Sequence, residues 1–343
     1  MRPFVWTVGG FVLTAAAAAQ ESPRQPERLF RSREPLEIVI RADFKELFKD
    51  RDTLTDRPVD GTLSLVDERR GALTLPIQLE TRGHFRLKRT TCPFPPLKVR
   101  FDKDSAKGSV FGGQGSIKLA THCRNSSRHE QNLLVEEGVY RMYNLLTPLS
   151  HRTRLARVRY VPLPDSAKAE THYGFFIEDD DEMAKRNSGK LLMQTGGTFS
   201  HMDPPLLDLM SVFEYMIGNT DWSVFMIHNV RLVDLGMNRE YLPVAYDFDF
   251  SGLVDAPYAV PDQRLPIRSV RTRLFRGPCR KREEIAPTLA RFAGARDSLV
   301  AELASVPGLE PKRLRTATDY LDDFFKEAGN PKSFDDALGY ACR

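Results

Sequence analysis

Four side chains with oxygen donor atoms stand at the ends of apolar segments in the second half of the chain. They are Asp221, Asn229, Asp247 and Asp249, within the stretch over residues 213–251. An ionised carboxylate beside a buried strand is costly unless it binds a partner, and a metal ion is the usual partner. Carboxylate and amide oxygens suit a hard cation such as Mg²⁺ much better than they suit zinc. This stretch therefore predicts a magnesium site.

The order of these residues matches the second half of a phosphotransferase site. In protein kinases a catalytic-loop aspartate orients the nucleophile, an asparagine a few residues on binds metal, and a later aspartate binds metal again. Asp221, Asn229 and Asp247 occur in that order. We expect Asp221 to accept or orient the proton of the substrate, and Asn229 and Asp247 to hold the metal. Asp249 is a candidate second carboxylate ligand. No H-R-D triplet is present, and the last motif is DFD, not DFG.

An amphipathic helix should position the first aspartate. Apolar residues recur at helical spacing over residues 206–217, which indicates a helix with one face in the core. Gly218 follows at once, and glycine commonly ends a helix. One apolar strand follows His228 and Asn229, and a second apolar strand leads to residues 247–249. The expected site therefore lies at the ends of one helix and two strands. The end of the chain is expected to be helical over residues 283–292, 295–305 and 311–328.

The first half of the chain has the order of elements found in a kinase small lobe. A hairpin precedes a basic loop, two further strands follow, and a helix with glutamates comes next. The predicted elements are the strands 61–66, 72–80, 96–101 and 116–120 and the helix 127–145. Ser126 or Ser127 is placed to cap this helix. A kinase lobe of this order pairs a strand lysine with a helix glutamate.

Lys118 is the candidate for the lysine that binds phosphate. It lies between two apolar residues of its strand, so an alternating strand would place it on the opposite face from both. Lys98, on the preceding strand, is an alternative. Glu137 or Glu136, on the helix, could pair with the lysine. A lysine that simply faces solvent is the other interpretation of Lys118.

The basic loop between the strands is a second candidate for phosphate contact. Arg82 could supply the charge, and Gly83 would allow the backbone to approach a phosphate closely. The sequence lacks the G-x-G-x-x-G pattern of ordinary kinases. The nucleotide is therefore not indicated by a glycine-rich loop.

The chain resembles the CotH kinase-like family of secreted and spore-coat proteins. The resemblance covers roughly residues 75–280. The residues that carry it are Arg82-Gly83, PPLKVRF at 95–101, GFFIEDD at 174–180, the N-x-D of 219–221 with its following His228-Asn229, and YDFD at 246–249. The resemblance implies an atypical protein-kinase-like α+β fold with two lobes, a β-rich N-lobe over residues 36–178 and a mainly helical C-lobe over residues 179–343.

The resemblance also implies an activity, cofactors and a partner. A member of the family would transfer the γ-phosphoryl group of ATP, with Mg²⁺ or Mn²⁺, to a hydroxyl of a secreted or cell-surface protein. Three alternatives remain. One is a catalytically silent relative that binds a nucleotide or an envelope partner. Another is a Mg²⁺-dependent phosphoester hydrolase that uses the same carboxylates. The third is a surface scaffold whose acidic residues only cap strands.

Composition and the N-terminus indicate the compartment. The 343 residues carry 50 basic and 46 acidic side chains, a net charge of +4, without a basic run, so nothing predicts a nucleic-acid partner. Residues 1–19 have a positive start, an apolar run and an A-x-A pattern, which predicts a secretory signal peptide; an uncleaved anchor is the alternative. Residues 20–35 read as a Pro-rich linker. No later segment is apolar enough to predict a membrane span, and the oligomeric state is not indicated.

Cysteine and histidine usage adds two expectations. The four cysteines permit three pairings, and we favour Cys92 with Cys123 and Cys279 with Cys342 in an oxidising compartment. Buried free thiols are the alternative. The seven histidines form neither H-x-x-x-H nor H-E-x-x-H, so no histidine metal site is expected.

Overall fold

A closed barrel of seven strands occupies the first half of the chain in the computed structural model, which describes residues 27–49, 51, 57–192, 197–236 and 239–342. The strands follow one another around the barrel in the order β1-β2-β3-β4-β5-β7-β6. Their bounds are β1 (Leu36–Ala42), β2 (Val59–Asp67), β3 (Gly71–Thr81), β4 (Leu97–Phe101), β5 (Ser116–Ala120), β6 (Thr153–Pro162) and β7 (Glu170–Ile177). Neighbours are antiparallel except β1 and β6, which pair in parallel and close the barrel.

Alternation of apolar and polar residues explains why these segments form barrel strands. Successive side chains of a strand point to opposite faces, and Ile38, Ile40 and Ala42 of β1 are buried while their neighbours are more exposed. Leu97, Val99 and Phe101 repeat the pattern on β4. The buried set fills the barrel interior with aliphatic and aromatic side chains. The barrel is therefore a packed core.

Helices dominate the rest of the chain. Their bounds are α1 (Phe44–Leu47), α2 (Lys103–Ala106), α3 (Ser127–Leu146), α4 (Asp180–Arg186), α5 (Pro204–Ile217), α6 (Arg282–Ala304), α7 (Pro311–Gly329) and α8 (Pro331–Ala341). A small sheet with the order β10-β9-β8 lies beside them, built from β8 (Lys190–Leu191), β9 (Val230–Asp234) and β10 (Leu242–Ala245). Asn229 immediately precedes β9, and Asp247 comes two residues after β10, so this sheet positions both.

Two main hydrophobic cores are interleaved along the chain. The barrel interior is one, and the second joins α3 with α5, α6, α7 and α8. Helix α3 lies in sequence between β5 and β6 but most of its apolar residues belong to the helical core. The α+β class is as expected, and the β-rich region takes the form of a closed barrel. A boundary at residue 178 therefore does not separate the cores, because α3 reaches across it.

Most predicted elements of the first half are confirmed, and the later helices need correction. Helix α3 begins at Ser127, with the Ser126 side chain accepting a hydrogen bond from the backbone N–H of His129 as a cap. The two helices expected over 283–292 and 295–305 form the single helix α6. Gly294 does not break the helix, because an exposed glycine destabilises a helix by only about 1 kcal/mol. A Cβ added at Gly294 would meet nothing within 4 Å, so no neighbouring group requires glycine at this position. Helix α8 was not expected.

The N-terminal end of the described region tests part of the expected linker. The expected signal peptide over residues 1–19 lies outside the described residues, as do residues 20–26 of the expected linker. The described part of that linker includes a 3₁₀ turn, Arg28–Phe30, whose Leu29 and Phe30 are buried. This end of the expected linker therefore packs against the fold.

Both predicted disulfides are confirmed. Cys92 is bonded to Cys123 and Cys279 to Cys342, and no described cysteine is free. Two disulfides fit an oxidising, extracytoplasmic compartment. Among the described residues, no helix combines the length and the apolar character that crossing a bilayer requires.

Candidate functional site

Helix α5 ends in a turn that holds Asp221. Gly218 follows the helix in the left-handed conformation, with φ 68°, and a Cβ added there would lie 2.0 Å from the hydroxyl of Tyr320. Only glycine suits this position, both for its backbone and for its space. The Asn219 side chain then accepts a hydrogen bond of 3.0 Å from the backbone N–H of Asp221. The turn therefore fixes where the aspartate leaves the helix.

Two neighbours orient the carboxylate of Asp221. Nε2 of His228 lies 3.0 Å from Oδ1. The amide nitrogen of Asn229 donates to the backbone oxygen of Asp221 at 2.7 Å and to Oδ2 at 3.1 Å. The hydrogen bond that His228 donates to Asp221 raises the pKa of His228 against the opposing effect of burial. The structure therefore brings the predicted Asp221 and Asn229 together.

A pocket of about 670 Å³ opens on this turn. Asp221 and His228 line it, and so do apolar side chains that include Trp222, Phe250 and Val260. Arg276 lines the same pocket while its guanidinium donates to the backbone oxygens of the turn at Thr220 and Trp222. A half-exposed carboxylate therefore faces a cavity large enough for a polypeptide side chain and its neighbours.

Asp247 and Asp249 come after β10, with the chain turning sharply between the strand and the motif. Asp247 has a φ of 62°, and its backbone N–H donates a 2.9 Å hydrogen bond to the hydroxyl of Tyr140 in α3. Its side chain is 39% exposed, whereas that of Asp249 is buried. Asp249 accepts a 3.0 Å hydrogen bond from the hydroxyl of Tyr258. The two acids of the DFD motif thus occupy different environments.

A buried arginine lies among these acids. The Arg86 guanidinium comes within 3.4 Å of Asp249, 3.7 Å of Asp247 and 4.0 Å of Glu136 on α3. Burial raises the pKa of Asp249 to about 6, with the Asp247 carboxylate adding to the rise and Arg86 opposing it. Burial likewise raises the pKa of Glu136 well above its ordinary value. Arg86 is therefore the cation that makes this acidic cluster tolerable.

The donor chemistry allows a test of whether a divalent cation fits. Mg²⁺ is usually held by one or two carboxylates, with waters and substrate phosphates completing its shell. Asp247 fits, because its carboxylate is accessible, and Asn229 fits, because it bonds Asp221 through its amide nitrogen and not its oxygen. Both acids lie near Arg86, but Asp249 fits less well than Asp247, because it is buried and accepts a hydrogen bond from Tyr258. The contacts of Asp249 therefore do not favour its expected role as a second metal ligand.

Lys118 lies in a network centred on Asp180. Its Nζ is 2.6 Å from Oδ1 of Asp180, and Nε2 of His151 is 3.0 Å from the same oxygen. Nε of Arg231 is 2.8 Å from Oδ2, and Tyr246 bonds to that guanidinium. Burial opposes ionisation of Asp180, yet the hydrogen bond with His151 and the charges of Lys118 and Arg231 hold its pKa well below the usual range. Burial lowers the pKa of Lys118 despite Asp180.

The predicted lysine–glutamate pair takes a different form. Glu137 is hydrogen-bonded at 2.8 Å to Nε of Arg141, one turn further along α3, and at 3.1 Å to the Thr153 hydroxyl. Glu137 therefore faces Arg141. The neighbouring residue, Glu136, is the glutamate that lies in the acidic cluster around Arg86. Lys118 has Asp180 as its partner in place of a helix glutamate. Lys98, the alternative lysine, lies 3.4 Å from Glu80.

Arg82 and Gly83 stand at the end of β3, beside these groups. Burial is the main cause of the lowered pKa of Lys118 and of the raised pKa of Glu136, and the charge of Arg82 adds to the first shift and opposes the second. Its backbone N–H donates to Pro96 at 2.9 Å. Gly83 has a φ of 98°, and a Cβ there would meet nothing within 4 Å. Glycine is therefore favoured here by the positive φ of the backbone and not by a lack of space.

Sequence reasoning missed two residues that organise the site. Arg86 was one of several basic residues in its loop, and nothing in the sequence marked it as the buried one. Asp180 belongs to an acidic run at 178–182, and such a run is more typical of a solvated turn than of a buried ion-pair network. Glu178 of that run is buried too, paired with Arg186 at 2.9 Å. The sequence showed only part of this: a run of acids after an apolar strand indicates that cations must come from elsewhere in the chain, but it does not show which ones.

The sequence matches no protein-family model and no curated protein.

Proposed function

We propose that the protein is a secreted atypical kinase-like phosphotransferase that moves the γ-phosphoryl group of ATP to a hydroxyl of a protein. The observation that carries the proposal is the arrangement around Asp221. Its carboxylate is oriented by His228 and Asn229 and lies at the edge of a pocket of about 670 Å³. The accessible Asp247 is near enough to add to the rise in the pKa of His228. A base, a substrate pocket and a metal-type carboxylate are therefore neighbours.

Each residue has a role in this proposal. Asp221 accepts the proton as the hydroxyl oxygen forms its bond to the γ-phosphorus, while the bond from that phosphorus to the bridging oxygen breaks and ADP leaves. Asn229 and Asp247 would hold Mg²⁺, which when bound neutralises charge developing on the phosphates. Lys118 and Arg231 share the single carboxylate of Asp180, so two cations face one acid there. This surplus supports an expectation of phosphate binding beside Asp247.

One observation favours a second candidate, a catalytically silent relative that binds a partner. Arg86 already supplies a cation to Asp247, Asp249 and Glu136. A fixed guanidinium among the acids can replace the charge that a metal would bring. In such a protein the turn at Asp221 and its pocket would serve recognition alone.

The decisive experiment pairs two variants with one control. Binding of ATP is measured by calorimetry with and without Mg²⁺, and transfer from γ-labelled ATP is followed to the protein itself and to an unfolded acceptor protein. Asp221→Ala should retain nucleotide binding and slow transfer by about 10²–10⁴-fold, the usual effect of losing a general base. Asp247→Ala should lose Mg²⁺-dependent binding and transfer together. Asp323→Ala, an exposed carboxylate on α7, should change neither.

The outcomes separate the candidates. A wild type that binds no nucleotide with Mg²⁺ or Mn²⁺ would sink the kinase proposal and leave the silent relative. Release of inorganic phosphate without labelled protein would point to the phosphoester hydrolase. If both variants lose folded stability to the same degree, the acids are structural.

A further inference from the structure

A second group of potential metal ligands lies on the barrel, outside the site described above. His122, Glu170 and His172 each offer a ligand atom, and these atoms lie within 4.8 Å of one another. Within the part of the chain that the structure describes, this is the one group of at least three histidine, cysteine, aspartate or glutamate side chains whose ligand atoms lie so close together. His122 follows β5, and the other two begin β7, the neighbouring strand. The barrel register therefore assembles the group.

The distances within the group suit a small cation. A tetrahedral ion with bonds of about 2.0–2.1 Å places its ligand atoms roughly 3.3 Å apart. Nε2 of His172 is already 3.4 Å from a carboxylate oxygen of Glu170. Glu170 is about half exposed, so it can move without disturbing the fold. The third ligand atom, from His122, lies within the 4.8 Å limit.

A carboxylate also stands behind one of the two histidines. Nδ1 of His172 lies 3.6 Å from Oε1 of Glu130, in the first turn of α3. Glu130 is itself fixed, because it accepts a 2.8 Å hydrogen bond from the backbone N–H of Tyr173. Metal-binding histidines usually have such a carboxylate on the nitrogen that does not face the metal, and it sets the orientation of the ring.

His122 provides an independent sign that something is to be bound. Its ring is almost completely buried, yet its Nδ1 has no hydrogen-bond partner. A buried polar atom normally has one, and an unpartnered atom costs about 1–3 kcal/mol. The rings of His122 and His172 are stacked with centroids 3.7 Å apart and an angle of 15°. Because an imidazole binds metal in its own plane, one ion would tilt the two rings apart.

We propose that His122, His172 and Glu170 form a binding site for a divalent transition-metal ion, with Zn²⁺ as the ion they suit best. Two imidazoles and one carboxylate are a donor set typical of zinc, and a water molecule completes the coordination. Glu130 is a positioning residue that holds the His172 ring. The site is independent of the proposed phosphotransferase function and involves none of its residues.

Zinc titration of chelator-treated protein without a polyhistidine tag tests the site. Calorimetry should show saturable binding of one Zn²⁺ per chain. Glu130→Gln should weaken the affinity about 10–100-fold, the usual cost of losing an orienting carboxylate. Glu170→Gln and His172→Ala remove ligands and should weaken it further. His201→Ala, at an exposed histidine far along the chain, is the control and should leave the affinity unchanged.

Two further readouts keep the proposal falsifiable. Histidine NMR signals of His122 and His172 should both shift at one equivalent of Zn²⁺, whereas Mg²⁺ should leave them unmoved. Glu170 is exposed, so the Glu170→Gln variant should fold as the wild type does, and circular dichroism checks this. An absence of stoichiometric Zn²⁺ binding by the wild type would overturn the proposal. Binding that survives unchanged in folded Glu170→Gln and His172→Ala proteins would overturn it as well.

Discussion

The Nζ of Lys118 lies 2.6 Å from Oδ1 of Asp180, an ion pair that joins barrel strand β5 to the first turn of α4. Arg231, on the central strand β9 of the small sheet, bonds the other oxygen of the same carboxylate. One aspartate therefore connects three elements that meet beside the candidate site. A carboxylate shared in this way stabilises the fold only while its cations remain in place.

Replacing Asp180 by asparagine should destabilise the protein. Lys118 and Arg231 would lose their common counter-charge in a largely buried position, and His151 would lose the carboxylate oxygen that it contacts. Breaking a buried ion pair from one side typically costs about 3–5 kcal/mol, and the amide should place this variant near the lower end. Denaturant unfolding measures the difference. Asp181→Asn, at the exposed neighbouring position, is the control and should cost little.

The same pair of proteins should show a defined dependence on pH. The folded-state pKa of Asp180 is lowered from 3.8, so its stabilising effect is complete above that pH and is lost as the pH falls further below it. The difference in unfolding free energy between wild type and Asp180→Asn should therefore narrow below pH 3.8. A difference that stays constant into that range would contradict the ionised, ion-paired state of Asp180.

Arg86→Met should reveal whether Asp247 and its neighbours can accept a metal ion. Methionine keeps much of the side-chain volume but leaves Asp247 and Asp249 without the cation beside them, at a cost of about 3–5 kcal/mol. Added Mg²⁺ should recover part of this loss by binding only the folded state. Thermal unfolding with and without Mg²⁺ measures the recovery.

The interpretation of Arg86→Met depends on a comparison with its loop. Lys88→Met changes an exposed cation two residues away and should show neither the loss nor the recovery. If Mg²⁺ raises the unfolding temperature of all three proteins equally, the ion acts on the surface and not at the acids. No recovery at all would favour the silent relative over the phosphotransferase.

The two adjacent glutamates of α3 should respond differently to substitution by glutamine. Burial raises the pKa of both glutamates, but Glu136 lies 4.0 Å from Arg86 and its Oε1 has no hydrogen-bond partner, so Glu136→Gln should cost at most about 1 kcal/mol. Glu137→Gln should cost about 3 kcal/mol, because it leaves the buried guanidinium of Arg141 without its carboxylate. Urea unfolding near neutral pH distinguishes the two.

The pH dependence of the Glu136 variant provides its own check. A carboxyl whose pKa is raised on folding makes the wild type less stable as pH increases from 4.5 through the folded-state pKa. Glu136→Gln has no such group, so its stability relative to wild type should improve over that rise. Equal slopes for the two proteins would show that Glu136 titrates normally.

Thiol chemistry should agree with the two disulfides. Unfolded, oxidised protein should yield no free thiols, since Cys92–Cys123 and Cys279–Cys342 account for all four. Thiol titration before and after reduction gives the count, with the reduced sample as the internal control. Two or more free thiols before reduction would exclude one of the bonds.

Local patterns carried most of the fold that could be predicted. Alternation located the hairpin β2–β3, and the helical spacing before Gly218 located α5, because both patterns depend on neighbouring residues alone. The order of Asp221 and Asn229 was informative for the same reason, since a short turn brings them together. Closure of the barrel was not predictable, because β1 and β6 pair across a long stretch of chain.

The parts of the site that could not be predicted depend on distant contacts. Glu136 and Glu137 are adjacent on a helix and point about 100° apart, so the sequence could not show which one faces Arg86. Asp180 became a buried hub only because Lys118 and Arg231 arrive from other elements. The pairing of strands across the barrel also brought His122 to His172, which no local histidine motif foretold.

The parallel pairing of β1 with β6 constrains the order in which this chain can fold. Ile38 faces Val158, and α3, which lies between them in sequence, packs mainly with helices that follow residue 200. The first strand must therefore wait for a partner that emerges much later from the ribosome, and the barrel cannot close as an early independent unit. Such distant contacts slow folding. We expect refolding to be slow and the barrel and helices to melt in a single transition.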